Sequence, residues 1–170
     1  MEKFAGRLML GLFFVTVPLV LFSATRARVL GDPQASDDSS TSAPWSASQT
    51  VLPKALAAEL STNEQSRKPI VVCVGFHPLY EGAHVPGASF HGAASTPKGI
   101  ADLKDWAQSV PRAANVVLYC GCCPLERCPN LKPAFVTLRD MGFTHLRVLL
   151  LPNDFNTDWI EKGYAVEKGK

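Results

Sequence analysis

The sequence predicts an α/β fold: a single domain whose mostly parallel, open sheet is flanked by helices. Three observations lead there. Predominantly apolar runs recur at residues 69–74, 116–119 and, interrupted by Arg147, 146–151, without the polar alternation of a half-exposed strand. Stretches with apolar residues at helical spacing lie between and after them. Gly and Pro punctuate the joins. A hydrophobic share of 46% over 170 residues is that of a chain with a core. A net charge of +2, with no basic cluster interleaved with aromatics, argues against a nucleic-acid partner.

At the N-terminus, Lys3 and Arg7 precede a continuous apolar stretch over residues 8–22, and small residues lead on to Ala27. This describes a secretory signal over residues 1–27. An uncleaved anchor is the alternative, helped by Arg26 and Arg28 just beyond the apolar run. The stretch holds Pro18 and falls short of the ~18–20 apolar residues of a full span. Either reading places the domain outside the cytoplasm, in a bacterial periplasm or secreted, with membrane contact only through residues 8–22 if they are retained. Residues 28–50 are rich in Ser, Ala and Asp and are expected to be a disordered linker. Its one large apolar side chain, Trp45, either docks on the domain or stays exposed.

The folded domain is expected over residues 51–170. Leu52, Leu56 and Leu60 repeat at four-residue spacing behind Pro53 and predict a short helix. The strand at 69–74 ends at Gly75, and residues 76–92, with Gly82, Pro86, Gly87 and Gly92, read as loop. Ile100, Leu103, Ala107 and Val110 give one face of a helix, capped by Ser95 or Thr96 and stopped by Pro111. After the strand at 116–119, Leu131, Ala134, Phe135, Leu138 and Met141 make a second face, ended by Gly142. The strand at 146–151 and a short helix with Trp159 and Ile160, closed by Gly163, complete the domain.

Four of the five cysteines fall within nine residues, in CGCCPLERC at 120–128. An odd number leaves at least one thiol free of internal pairing. Cys120 lies at the carboxyl end of a buried strand, before a helix, where open α/β sheets bind ligands. A thiol there is a candidate nucleophile, since a helix N-terminus lowers its pKa from the usual ~8.5. Gly121 lets the backbone turn closely round the sulfur. Arg127 is the strong cation of the loop, either holding an anionic donor such as thiosulfate or simply solvated. Cys122, Cys123 and Cys128 complete the candidate site. In an exported protein they also permit a redox reading, in which Cys120 and a neighbour cycle between dithiol and disulfide.

Other chemistries fit less well. C-x-C-C-x4-C lacks two separated C-x2-C knuckles, and the loop has no histidine, so neither a metal nor another cofactor is expected. A phosphatase loop needs a cysteine six positions before its arginine; counting back from Arg127 gives Gly121. Cys73, on a buried strand, reads as an inert core thiol. Tyr80, Glu81, Asp154, Asn156 and Asp158 are candidates to border the crevice.

Three segments together resemble the rhodanese domain. Ala83-His84-Val85-Pro86-Gly87-Ala88, with Glu81 nearby, is similar to the family's Gly-His-Ile-Pro-Gly-Ala turn. The strand ending VVLYC resembles its catalytic strand, and LRVLLLPNDFNTDWIEKGYAVEKG resembles its final strand, Trp-containing helix and tail. More narrowly, CGCCPLERCPN looks like a bacterial subgroup with a cysteine-rich loop. The resemblance covers roughly residues 51–169 and puts Cys120 in the place of the sulfur-accepting cysteine. It implies a sulfurtransferase whose intermediate is a cysteine persulfide, serving a small sulfur donor and a thiol acceptor. This chain departs from the pattern at Cys73 and Gly75, where the family carries Asp and Arg, and at Leu151-Pro152-Asn153, where it carries a Gly-Gly turn.

Overall fold

The computed structural model describes residues 43–169. The expected signal or anchor, and the expected linker up to residue 42, lie outside the described residues. Among those described, no helix is long and apolar enough to cross a membrane.

Five strands form one sheet, all parallel: β1 (Thr50–Val51), β2 (Ile70–Cys73), β3 (Ser89–Phe90), β4 (Asn115–Tyr119) and β5 (His145–Leu149), in the order β1-β5-β4-β2-β3. β4 is central, with Val72 opposite Leu118 and Cys73 opposite Tyr119 on one side, and Val117 opposite Arg147 on the other. Helices α1 (Pro53–Ser61), α2 (His77–Gly82), α3 (Pro97–Gln108) and α4 (Leu131–Asp140) connect the strands.

Both faces of the sheet are buried, which is why its central strands are mostly apolar, with Asn115, His145 and Arg147 as the polar exceptions. On one face Val72, Val74, Val116, Leu118 and Cys120 pack with Leu103 and Ala107 of α3 and Phe135 and Leu138 of α4. On the other, Val71, Cys73, Val117, Tyr119 and Leu149 pack with Leu56 of α1, Tyr80 of α2, Phe155 and Trp159. The cap of α3 is Thr96, whose hydroxyl accepts from the Gly99 N–H at 3.0 Å.

Three features differ from the sequence expectation. The folded body begins before residue 51. Trp45 stacks edge-on against Phe135 with ring centroids 5.5 Å apart, a 3-10 turn covers Ala47–Gln49, and β1 pairs with β5. Packing on α4 holds a polar stretch that composition alone assigns to the linker. Residues 76–92 contain α2 and β3 rather than loop alone. α2 is too short for a hydrophobic period, and its anchor is Tyr80, whose hydroxyl donates to the Ala88 carbonyl and whose ring stacks on His84 at 3.9 Å. The last helix is a π-type turn over Asn156–Ile160.

Strand order locates the site. From β2 the chain steps outward to β3, whereas from β4 it steps the other way to β5. The carboxyl ends of β2 and β4 therefore flank the switch point, where connecting loops diverge and leave a crevice.

Candidate active site

β4 delivers Cys120 to that crevice, where it is 3% exposed. The loop that follows is pinned at several points. Gly121 takes φ +80°, and a Cβ there would stand 2.8 Å from the Cβ of Phe155, so only glycine fits. The Phe155 N–H donates to the Gly121 carbonyl at 3.1 Å, and the Leu125 N–H donates to the Leu151 carbonyl at 3.0 Å. A 3-10 turn over Leu125–Arg127 then returns the chain, and Cys128 is buried beside Cys120.

Four thiols are gathered in this way. Cys120 Sγ lies 3.1 Å from Cys122 Sγ, which lies 3.2 Å from Cys123 Sγ. The sulfurs of Cys120, Cys122 and Cys128 are all within 4.8 Å of one another. That spacing suits disulfide exchange or capture of a soft, thiophilic ion. Among the described residues, no histidine or carboxylate joins the set.

Asn130 is the polar anchor of the site. It is fully buried; its Oδ1 accepts from the Ser95 N–H at 2.8 Å, and its Nδ2 donates to Cys120 Sγ at 3.2 Å. As the residue before α4 it reads in sequence as an ordinary cap, yet its side chain makes no cap bond.

The negative charge settles elsewhere than expected. Cys128 is lowered to about 6, first by the hydrogen bond it receives from Cys120, against the cost of burial, and then by the backbone N–H groups of Asn130 and Leu131. Cys120 is pushed up, first by that same bond, then by burial and by the Cys128 charge. The two thiols titrate together, and their surroundings favour the anion on Cys128 over Cys120. The reason is positional: the first amides of α4 reach Cys128 rather than Cys120. Burial raises Cys123 to about 12 and Cys73 to about 11.

A cleft of about 490 Å³ opens over Cys120. Its lining includes Cys73, Leu79, Tyr80, Tyr119, Gly121, Cys122, Asp154, Phe155 and Asn156. Of the residues proposed as its border, Tyr80, Asp154 and Asn156 are there; Glu81 and Asp158 are not. Asp158 instead accepts from the Asn153 N–H at 2.6 Å. Cys73, read as an inert core thiol, is 2% exposed but does form part of the wall. Cys123, Arg127 and Cys128 are absent from the lining; Arg127 is exposed and Cys128 is buried. Asp154 is the charged side chain of the lining, which contains neither Lys nor Arg.

Comparison with known proteins bears on the fold. No protein-family model matches the chain, and no curated protein does. Solved structures do. The solution structure of the rhodanese-like domain from the Anabaena protein Alr3790 aligns with a TM-score of 0.51 at 22% identity, covering 71% of this chain and 79% of that one. A crystal structure of Alr3790 aligns with a TM-score of 0.54 at 18% identity, covering 69% and 82%. The BH2092 protein of Bacillus halodurans aligns with a TM-score of 0.55 at 18% identity, covering 71% and 77%. The domain therefore has the rhodanese-like fold.

Proposed function

We propose that this rhodanese-like domain is a sulfurtransferase that carries sulfane sulfur as a persulfide on Cys120. One observation carries the reading: Cys120 Sγ is the sulfur at the end of the central strand, beneath the cleft at the switch point of the sheet. The apolar stretch at residues 8–22 supports an exported domain.

The neighbours of Cys120 supply the chemistry. Cys128, whose sulfur lies within 4.8 Å and whose thiolate is favoured, takes the Cys120 proton as a donor R–S–SH enters the cleft. The Cys120 thiolate attacks the terminal sulfur, forming Cys120–S–SH and expelling R–S⁻. The Asn130 amide, 3.2 Å away, steadies the reacting sulfur by hydrogen bonding. A thiol acceptor then removes the outer sulfur, completing a double displacement. The cleft's carboxylate and its lack of cations favour an uncharged or thiol-bound donor over dianionic thiosulfate.

Peptide mass spectrometry of the reduced chain, after anaerobic exposure to a persulfide, tests the reading. A gain of ~32 Da on Cys120 that vanishes in Cys120→Ser is expected. Uptake that survives Cys120→Ser would sink it. The 3.1 Å approach of Cys120 and Cys122 supports a second reading, a dithiol–disulfide module without sulfur turnover. In that case the same experiment returns a loss of two hydrogens and no bound sulfur.

A further inference from the structure

We propose that Cys128 is a resolving cysteine: it displaces the sulfur held on Cys120 as hydrogen sulfide and leaves a Cys120–Cys128 disulfide. This rests on the sulfur acceptance proposed above and adds a second, reductive activity to the same site.

Geometry selects Cys128. Displacement at a sulfur runs in line, so the attacking thiolate must approach the inner sulfur opposite the outer one. The outer sulfur of Cys120–S–SH has room only in the cleft, because Cys120 is otherwise packed. Cys128 lies within 4.8 Å of Cys120 and outside the cleft lining, so it can reach the inner sulfur without entering the cleft. Cys122 is nearer, at 3.1 Å, but lines the cleft and so lies beside the outer sulfur. A disulfide needs its sulfurs at about 2.05 Å, and the turn at Leu125–Arg127 is the segment that would carry Cys128 inward. Cys128 is also the member of the cluster whose thiolate form is favoured, by its contact with Cys120 and by the N–H groups of Asn130 and Leu131.

The step balances. Cys120–SH, the Cys128 thiolate and R–S–SH give R–S⁻, the disulfide and H₂S. The S–S bond of the donor is broken and then that of the protein persulfide. Two electrons pass from the two cysteines to the sulfane sulfur, which leaves as sulfide. An external dithiol must reduce the disulfide before another turnover.

The test uses the reduced full chain under anaerobic conditions, with one equivalent of N-acetylcysteine persulfide. Released N-acetylcysteine reports sulfur acceptance, trapped sulfide reports the second step, and peptide mapping locates any disulfide. The expected result is about one sulfide per chain above the Cys120→Ser background, with a Cys120–Cys128 link. Cys128→Ser and Cys128→Ala, each with the circular dichroism of the parent, should load persulfide more slowly for want of the proton acceptor, yet once loaded should release at least ~10-fold less sulfide per N-acetylcysteine freed, while Cys122→Ser keeps the parent ratio. If N-acetylcysteine is released but the persulfide stays on the parent chain, the resolving role is overturned and the sulfurtransferase reading stands. Sulfide release that persists in both Cys128 variants also overturns it. If no N-acetylcysteine appears above background, sulfur acceptance itself fails and the resolving step falls with it.

Discussion

Gly75 abuts Cys120 so closely that a Cβ on Gly75 would stand 2.5 Å from the Cys120 carbonyl oxygen and 3.1 Å from its Sγ. The loop leaving β2 thus passes directly over the turn of chain that presents the thiol. Gly75→Ala forces backbone against backbone, since no flexible side chain can yield there. We expect a loss of ~1–3 kcal/mol in denaturant unfolding, together with slower sulfur uptake by Cys120. Unchanged stability would mean that the two loops part more easily than their packing implies.

Asn130 offers a separate test. Asn130→Ala removes the amide from Cys120 and leaves the Ser95 N–H without its 2.8 Å acceptor. Losing this part-buried bond costs ~0.5–1.5 kcal/mol, so a modestly lower melting temperature is expected. Sulfur uptake should fall as well. A variant that melts early but takes up sulfur at the parent rate would make Asn130 purely architectural.

The Cys128 thiolate has a pH signature. Its folded pKa is depressed to about 6, so the thiolate persists well below the ordinary thiol range. The stability it contributes is fully present above the unfolded thiol pKa and is lost as pH falls through about 6. The ultraviolet absorbance of thiolate should therefore drop across that lower range, and Cys128→Ser should abolish the drop. Cys73 behaves oppositely: burial raises it to about 11, so its contribution holds at neutral pH and is lost as pH rises through that value.

Asp154 offers a test of donor choice. Its Oδ1 accepts from the Thr157 N–H at 2.7 Å, a bond that asparagine can keep. Asp154→Asn removes a negative charge from the cleft while preserving the turn. The kcat/KM for thiosulfate should rise several-fold, by roughly 1 kcal/mol of relieved repulsion, with little change for an uncharged persulfide donor. Equal effects on both donors would show that the charge does not discriminate between them.

The central strands were legible because both faces of β2, β4 and β5 are covered, so their apolar runs admit little else. α3 and α4 were legible from their spacing and stops. β1 and β3 were not, since two residues carry no period. Nor was α2, which Tyr80 secures through its hydroxyl bond to the Ala88 carbonyl and its stacking on His84. At the site, the gathering of cysteines was plain from their spacing, but the seat of the charge was not. That depends on which thiol the amides before α4 reach, and a turn of three residues decides it. Asn130 was hidden for a similar reason: its position suits a cap, while its side chain serves a sulfur ten residues earlier.

The two outermost strands have a consequence for how this domain meets other copies of itself. β1 and β3 are each two residues long, so the sheet ends on both sides in rungs too short to template another chain. Edge-to-edge growth, the ordinary route from a parallel sheet to fibrils, is closed off by brevity rather than by charge. The domain can thus hold several reactive thiols at high concentration without its backbone also inviting aggregation.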